Sequence, residues 1–447
     1  MSAFKAYDIR GVWGEDIDEE LCFKAGYFLP SLLNADHVIV GRDMRLSSAA
    51  AHEALLDGIT SSGADVWDLG LSTTPLVYFA TGKLGADCSV QITASHNPAE
   101  YNGLKISKTG VASVGGGNGL KELEALVNNG KVVPSAVKGK VLDYSFMREQ
   151  YLDYLLPYAK GLEGLDISID CSSGMAGILI KDLLGDKPHY INDTLDGSFP
   201  AHEPNPLDRK NVRMLEEEVG RNGSDCGLMY DGDADRVVFV DETGSFIQPD
   251  YAIAVLGLYY KKLGRLGIAL QDIRTSRSTT EYLENLGFSV ATWKVGHAFA
   301  IAKLRELGGV FGGELAGHYY MKDFYWCDSG LLASLLFLSV VSGLKKEGRT
   351  ISSLVSEIVR YENSGEINFK LEKKDDAIKE LCSLFIDNGN PIRVLDFDGY
   401  RIEFDDWWFN VRKSNTEPYL RIVAEAKTKE LLYDKLEIIK AVIGKYS

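Results

Sequence analysis

The chain has 447 residues, too many for one hydrophobic core, and this length predicts three or four domains. Its 48 basic and 64 acidic residues give a net charge of -16 without any basic block, which excludes a general nucleic-acid-binding protein. Residues 331–341 form the longest apolar run, which is too short to cross a bilayer and predicts a buried helix rather than a membrane partner.

The cysteines and the first ten residues bear on the cellular location. The six cysteines form no C-x-x-C pair, so we expect reduced thiols rather than a zinc site or a disulfide framework. Residues 1–10 carry charges where a signal peptide would be apolar, and a cytoplasmic protein is therefore expected.

Strand-like apolar runs alternate with helix-like stretches over the first three quarters of the chain, which is typical of an α/β fold. The first block predicts strands over 38–41, 65–69 and 88–93 and a helix over 48–62. The second predicts strands over 165–170, 226–230 and 237–240, with a helix from about Ala176. The third predicts strands over 267–270, 290–293 and 309–311.

The last block has a different order, which predicts a smaller C-terminal α+β domain. It contains a strand from Ile367, a helix over 374–388, paired strands over 392–409, a strand over 419–424 and a closing helix capped by Thr428. Polar joints at 131–143, 243–250 and 361–366 divide the chain into domains of residues 1–140, 141–248, 249–362 and 363–447.

The first chemical motif is Thr-Ala-Ser-His-Asn-Pro at residues 93–98, which follows a strand-like run directly. Proline restricts the residue before it to extended conformations, so Asn97-Pro98 predicts a tight turn that ends the strand. Ser95 on this turn is a candidate to carry a covalent group. An ordinary turn is the alternative that this motif alone leaves open.

The second motif, Tyr-Asp-Gly-Asp-Ala-Asp-Arg at residues 230–236, sets three carboxylates at alternate positions between two strands. Such oxygen ligands suit Mg²⁺ or Ca²⁺, and closely packed carboxylates are costly without a cation. Calcium binding by an EF-hand is disfavoured because Arg236 stands where that loop requires glycine. A nucleophilic aspartate of the haloacid-dehalogenase type and a solvated acidic turn are the remaining alternatives.

Two further loops carry polar groups that could bind a ligand. Residues 312–320 combine glycines with Glu314 and His318, which can bond sugar hydroxyls, although such glycine-rich turns are common. Residues 411–421 lie between two predicted strands and offer guanidinium, hydroxyl, amide and backbone N–H donors, the set that a phosphate dianion requires.

Together these loops resemble the α-D-phosphohexomutase superfamily, of the bacterial phosphomannomutase/phosphoglucomutase type, over essentially the whole chain and in the family's order of motifs. Residues 7–11, 102–106, 196–200 and 204–206, with His202, extend the resemblance. It implies a heart-shaped protein in which three related α/β/α domains and a smaller α+β domain surround a central cleft. In chain order these would be the phosphoserine, metal-binding, sugar-binding and phosphate-binding domains.

The resemblance also implies roles for individual residues. Ser95 matches the family's phosphoserine, and Asp231, Asp233 and Asp235 match the residues that hold Mg²⁺ against its phosphate. The matching catalytic positions are Arg10, His96, Lys105 and Arg236. Tyr7, Arg274, His297, Glu314 and His318 match substrate-binding positions, and Arg412, Ser414, Asn415, Thr416 and Arg421 match the loop that binds the distal phosphate.

The implied reaction interconverts hexose 1-phosphate and hexose 6-phosphate through a hexose 1,6-bisphosphate, which also serves as activator. We expect a monomer or weak homo-oligomer with a small phosphosugar as its substrate, and a hinge near residues 361–366. Ala316 replaces a serine that usually contributes to the sugar loop, so mannose, glucose or both are expected. A phosphoglucosamine mutase and a catalytically silent sugar-phosphate-binding protein are the alternatives.

Overall fold

The computed structural model describes residues 3–413 and 419–446. The chain forms two compact units, one of Met1–Pro249 with Ala316–Ser352 and the other of Asp250–Leu315 with Ser353–Ser447. The predicted phosphate-binding residues Ser414, Asn415 and Thr416 lie outside the described residues. Within the described part of the chain, no helix is long and apolar enough to span a membrane.

The first sheet of the first unit has seven strands in the order β1-β5-β4-β2-β3-β7, with β6 on β5. Strands β2, β3, β4 and β7 run parallel, whereas β5 is antiparallel to both of its neighbours on this path. Its elements are β1 (Ile9–Val12), α1 (Glu19–Leu33), β2 (His37–Arg42), α2 (Ser48–Ser62), β3 (Asp65–Leu71), α3 (Thr74–Leu84), β4 (Cys88–Ile92), β5 (Tyr101–Lys108), β6 (Ala112–Ser113), α4 (Leu120–Asn129) and β7 (Val141–Asp143).

The second sheet has the order β12-β11-β10-β8-β9. Strands β8, β9 and β10 run parallel, and β11 is antiparallel to both of its neighbours, β10 and β12. A loop of six residues, 231–236, joins its two central strands β10 and β11. The elements are α5 (Met147–Leu155), β8 (Ile167–Asp170), α6 (Ile180–Leu184), β9 (His189–Ile191), α7 (Arg209–Asn222), β10 (Cys226–Tyr230), β11 (Val237–Asp241) and β12 (Phe246–Ile247).

The next stretch of chain contributes to both units. In the second unit, β13 lies between β14 and β15, and all three strands are parallel. The predicted buried helix over 331–341 is confirmed as part of α11 in the first unit, where the Ser329 side chain caps the Leu332 N–H. The elements are α8 (Pro249–Lys262), β13 (Ile268–Asp272), α9 (Arg277–Leu286), β14 (Ser289–Trp293), α10 (His297–Glu306), β15 (Phe311–Gly313), β16 (Tyr319–Met321), α11 (Gly330–Lys346) and α12 (Ile351–Ile358).

The C-terminal part of the second unit is an antiparallel sheet in the order β17-β22-β21-β20-β19, with β18 on β22. The predicted α+β order is therefore confirmed, and Thr428 caps the closing helix by accepting the Leu431 N–H. The elements are β17 (Glu362–Asn363), β18 (Ile367–Lys370), α13 (Lys374–Cys382), β19 (Arg393–Leu395), β20 (Tyr400–Glu403), β21 (Trp407–Lys413), β22 (Tyr419–Ala426) and α14 (Lys429–Gly444).

Several predicted boundaries differ from the structure, and three of them show why. The strand expected over 309–311 lies at Phe311–Gly313, because the Gly309 N–H closes the end of α10 by bonding the Leu304 carbonyl at 2.9 Å. The α-helix expected to reach residue 388 ends at Cys382 and is followed by a π-helical turn, Ser383–Asp387. The side-chain amide of Asn388 donates to the Ser383 carbonyl there. The helix expected from about Ala176 is a 3-10 turn, Met175–Ile178, followed by the short α6. The α/β fold class is nonetheless the one that the sequence predicts.

Candidate active site

Ser95 lies at the carboxyl end of β4, in the first unit. Its backbone has a φ of 51°, in the left-handed region, and its N–H donates to Thr93 Oγ1 at 2.9 Å. The side chain is 1% exposed, and Ser95 Oγ donates to Asp231 Oδ2 at 2.7 Å. The structure thus brings the hydroxyl of the first motif against the carboxylate loop of the second.

The carboxylates of Asp231, Asp233 and Asp235 converge in the loop between β10 and β11. One oxygen from each lies within 4.8 Å of the others, and all three residues are at most 1% exposed. Burial, with the charges of Asp235 and Asp233, raises the pKa of Asp231 well above its ordinary value. Asp233 Oδ1 has no hydrogen-bond partner among the described residues. The oxygen ligands and their excess negative charge fit a divalent cation.

Lys105 supplies part of the charge that this carboxylate cluster needs. Its Nζ lies 2.6 Å from Asp233 Oδ2 and 2.5 Å from Asp235 Oδ2. Burial alone would lower the pKa of Lys105, but these two carboxylates raise it above its ordinary value. One ammonium against three aspartates still leaves room for a cation of higher charge.

Two further predicted residues lie beside the Ser95 turn. Arg10 donates from Nη1 to Asn97 Oδ1 at 2.8 Å and from Nη2 to Asp8 Oδ2 at 2.5 Å. The ring nitrogen Nδ1 of His96 lies 3.3 Å from Ser95 Oγ. Burial, with the charges of Arg236 and Arg10, lowers the pKa of His96 well below its ordinary value, so its ring is neutral at neutral pH.

Arg236 and His318 lie against the same carboxylates. The Arg236 N–H bonds Asp231 Oδ1 at 3.1 Å, and its Nε donates to His318 Nε2 at 2.8 Å. His318 Nε2 is also 3.4 Å from Asp235 Oδ1. The structure therefore places His318, predicted as a sugar contact, beside the proposed metal ligands.

The second unit gathers arginines instead of aspartates. Arg274 forms a two-point contact with Asp272, from Nε to Oδ1 at 3.1 Å and from Nη2 to Oδ2 at 2.8 Å. Glu366 lies between two arginines, 3.5 Å from Arg274 Nη1 and 3.2 Å from Arg421 Nη1. These carboxylates hold both guanidinium groups in fixed orientations.

Arg412 on β21 has donors for which the described residues provide no acceptors. It is 4% exposed, and neither Nε nor Nη1 forms a hydrogen bond within the described ranges 3–413 and 419–446. Asp398 Oδ1 approaches its Nε only to 4.0 Å. Buried, unsatisfied guanidinium donors are costly, and a bound anion would satisfy them.

Comparisons with known protein families divide the chain into four successive domains. The chain matches four successive domain families of phosphoglucomutase/phosphomannomutase: alpha/beta/alpha domain I over residues 1–130, domain II over 149–244, domain III over 248–361 and the C-terminal domain over 366–439. A phosphomannomutase of Vibrio cholerae is 34% identical over 466 aligned positions, covering 100% of this chain and 99% of the relative. The chain belongs to the phosphoglucomutase/phosphomannomutase family.

Two other relatives agree with this assignment. A protein of Xanthomonas campestris named as phosphohexose mutases is 36% identical over 96% of this chain and 95% of its own length. The crystal structure of a phosphoglucomutase/phosphomannomutase family protein from Burkholderia thailandensis superposes with a TM-score of 0.86 at 27% identity, covering 100% and 98% of the two chains. This chain is therefore a phosphohexomutase, an isomerase that acts on a small phosphosugar.

Three predicted residues remain to be placed, Glu314, His297 and Tyr7. In this phosphohexomutase, Glu314 Oε1 accepts the Gly296 N–H at 2.5 Å, directly before His297, the first residue of α10. Tyr7 is half-buried in the segment before β1. The described site residues are thus divided between the two units.

Sequence reasoning missed several polar neighbours. Thr74 Oγ1 donates to Asp233 Oδ2 at 2.5 Å, and Asp328 lies 3.8 Å from His318, with its pKa raised to about 7 by burial and the Asp235 charge. Asp272 could have been found, because it ends a parallel strand, where polar residues often form sites. Glu366, also missed, carries no comparable local signal.

Proposed function

We propose that Ser95 is the phosphoryl carrier of this phosphohexomutase. The observation that carries the proposal is the 2.7 Å hydrogen bond from Ser95 Oγ to Asp231, within a buried cluster of three aspartates. A hydroxyl in this position is poorly suited to an ordinary structural turn, because it adjoins carboxylates whose charge Lys105 compensates only in part. A phosphate on Ser95 would instead share a cation with them.

The cation that fits this cluster is Mg²⁺, held by Asp231, Asp233 and Asp235. Bound there with the Ser95 phosphate, it would neutralise charge that develops on the transferring phosphoryl group. The unpartnered Asp233 Oδ1 supports this assignment, since a buried carboxylate oxygen needs a donor or a metal.

The transfer itself would break the bond between phosphorus and Ser95 Oγ and form one to the 6-hydroxyl oxygen of a hexose 1-phosphate. The neutral ring of His96 can accept the hydroxyl proton and pass it to Ser95 Oγ, which leaves as a serine hydroxyl. In the second transfer the serine proton would pass by the same route to the sugar 1-oxygen. Lys105, Arg10 and Arg236 would stabilise the negative charge. The resulting hexose 1,6-bisphosphate then reorients and gives its other phosphate to Ser95, which releases hexose 6-phosphate.

The second unit would bind the phosphate that does not react. Arg412 offers the unsatisfied donors, with Arg421 and the predicted Ser414, Asn415 and Thr416 beside it in the sequence. The proposed sugar contacts are Glu314, Arg274, His297, His318 and Tyr7. Exclusion of water from the carrier would prevent hydrolysis of the phosphoserine.

Mannose and glucose phosphates are the proposed substrates, supported by relatives named phosphomannomutase and phosphohexose mutases. The half-buried Ala316 offers only a methyl group in the sugar loop, so it provides no hydrogen bond with which to distinguish the two sugars. A cytoplasmic location and a monomeric or weakly associated state stay predictions.

Intact-mass analysis and activity assays test the carrier. We expect one phosphate on the wild-type protein, none on Ser95→Ala, and mutase activity with mannose and glucose 1-phosphates that requires Mg²⁺ and a hexose bisphosphate. Ser168→Ala is the matched control, since Ser168 is also buried and, among the residues that the structure describes, its hydroxyl contacts the hydroxyl of Ser224 at 2.8 Å. An unchanged phosphate content in Ser95→Ala would refute the carrier role, and dominant release of free phosphate would indicate a phosphatase.

Parallel assays with glucosamine and N-acetylglucosamine 1-phosphates test the phosphoglucosamine alternative.

A further inference from the structure

The Ser95 turn is held through its backbone carbonyls by one buried arginine. Arg45 Nη2 donates to the carbonyl oxygens of Ser95 at 2.8 Å and Asn97 at 2.6 Å. Its Nη1 donates to those of Pro98 at 2.6 Å and Tyr101 at 3.0 Å. Four carbonyls of one loop thus converge on a single guanidinium group.

The Arg45 side chain has no freedom to move away from these carbonyls. It is fully buried, and its Nε lies 3.2 Å from Asp43 Oδ2. The Phe199 ring covers the guanidinium group, with 5.0 Å between the Arg45 Cζ atom and the ring centroid. A Cβ atom on Gly197 would lie 2.6 Å from Arg45 Cα, so the loop over 196–199 packs directly on its backbone.

The conformation of Ser95 explains why such support is needed. A φ of 51° is unfavourable for a residue with a side chain, and it persists only where the surroundings enforce it. The planar guanidinium group presents a rigid fork of donors that a lysine ammonium cannot reproduce. The hydrogen bond from Ser95 Oγ to Asp231 depends on this backbone conformation.

We propose that Arg45 is a positioning residue for phosphoryl transfer, which fixes the Ser95 turn through four carbonyl hydrogen bonds so that Oγ stays aligned with the aspartate cluster. Arg45 donates to backbone carbonyls and pairs with Asp43, so it acts on the reaction through Ser95 and not by touching the substrate. The proposal rests on the proposed role of Ser95 as carrier.

The second unit offers a matched control. Arg401 is also buried, at 2% exposure, and its Nη1 donates to the carbonyls of Ile273 at 3.0 Å and Thr275 at 2.6 Å. Its guanidinium group stacks on the Trp408 ring at 3.6 Å. Arg401→Lys therefore removes a comparable buried carbonyl clamp, but one that flanks Arg274 and not Ser95.

The test compares Arg45→Lys with Arg401→Lys by thermal unfolding, steady-state kinetics and phosphate content after incubation with hexose 1,6-bisphosphate. Both variants should unfold at lower temperature. We expect Arg45→Lys to lower kcat about 100-fold with KM changed less than about threefold, the cost of misplacing a reacting group. Arg401→Lys should raise KM and leave kcat within about threefold, because its clamp flanks a substrate-binding arginine. Equal losses of kcat in the two variants would overturn the proposal.

A second variant covers the case in which Arg45→Lys does not fold. Asp43→Asn keeps Arg45 but removes the charge that holds its Nε, so we expect a smaller loss of kcat at unchanged KM, about tenfold. An unchanged kcat in folded Asp43→Asn would count against the positioning role. Failure of the carrier proposal can be distinguished from failure of the positioning proposal. If the carrier proposal is wrong, the wild-type protein itself will lack phosphate on Ser95.

Discussion

The two units have buried charge of opposite sign to neutralise. In the described part of the first unit, one lysine bonds two of the three clustered aspartates, Asp233 and Asp235, and Asp233 Oδ1 has no hydrogen-bond partner. In the second, carboxylates bridge most of the guanidinium groups, yet Arg412 keeps buried nitrogens that no described residue accepts. The first region is therefore poised for a cation, and the second for an anion.

Under the proposed mechanism, an acidic protein with a net charge of -16 would have to bind a doubly phosphorylated intermediate. The reacting phosphate would need charge neutralisation that strengthens in the transition state, which a metal and several cationic side chains would supply. The distal phosphate would need only to be held in place, which preoriented arginines would do. Loss of the metal site and loss of the distal phosphate site should therefore change different kinetic constants.

The largest effect is expected for Asp233→Asn, which tests the cation side of the comparison. Loss of this carboxylate should lower kcat at least about 1,000-fold, or more than about 4 kcal/mol, and weaken the response to added Mg²⁺. Asp241→Asn is a control from the same unit, since Asp241 Oδ1 accepts the N–H groups of Thr243 and Ser245 and the Thr243 hydroxyl, all in its own turn. Full activity of Asp233→Asn at ordinary Mg²⁺ concentrations would exclude its role as a metal ligand.

The second prediction concerns Asp250, a buried carboxylate of the arginine-rich unit. Burial, with the charges of Glu425 and Asp272, raises the pKa of Asp250 to about 7, although the Ser276 N–H bonds its Oδ2 at 2.9 Å. Because its pKa in the unfolded chain is near 3.8, its stabilising contribution is complete below about pH 4 and is lost as pH rises through about 7.

Asp250→Asn should remove this dependence. As pH rises from about 5 to about 7.5, the wild-type protein should lose about 3 kcal/mol of unfolding free energy that Asp250→Asn does not lose. Denaturant unfolding over that range measures the shift. Asp406→Asn, an exposed carboxylate paired with Lys427, should give a flat difference. A flat difference for Asp250→Asn as well would show that Asp250 titrates ordinarily.

The third prediction tests the anion side. Arg412→Lys should raise KM about 30-fold, or about 2 kcal/mol, with kcat within about threefold, because the lost hydrogen bonds serve binding in both ground and transition states. Its neighbour Lys413 is exposed and pairs with Asp375 at 2.7 Å, so Lys413→Gln should leave both constants nearly unchanged. A loss confined to kcat would assign Arg412 to the chemical step instead.

The smallest effect is expected at Ala316. Ala316→Ser restores a hydroxyl to the sugar loop, and one neutral hydrogen bond is worth about 1 kcal/mol. We therefore expect the ratio of kcat/KM for mannose and glucose 1-phosphates to change about fivefold, toward whichever sugar presents the better partner. Competition between the two substrates in one reaction measures the ratio directly, and an unchanged ratio would place the discrimination elsewhere.

Local patterns in the sequence predicted much of the fold. Strand-like runs before Ser95 and Asp231 became β4 and β10, and the closing helix begins at the predicted cap Thr428. These predictions succeed because alternation, apolar periodicity and capping act over a few residues. The boundaries at Gly309 and Asn388 were missed because individual hydrogen bonds at helix ends decided them.

The chemical groups that the protein carries can be read from its sequence: the serine on its turn, the alternating aspartates, and the arginines of the last block. Which of these groups meet depends on the tertiary fold. Asp231 is 136 residues from Ser95, and Arg45 is 50 residues from the turn that it holds, so no local pattern reveals either contact. Charges in a buried cluster depend on every neighbour that folding brings near, and these neighbours come from distant strands.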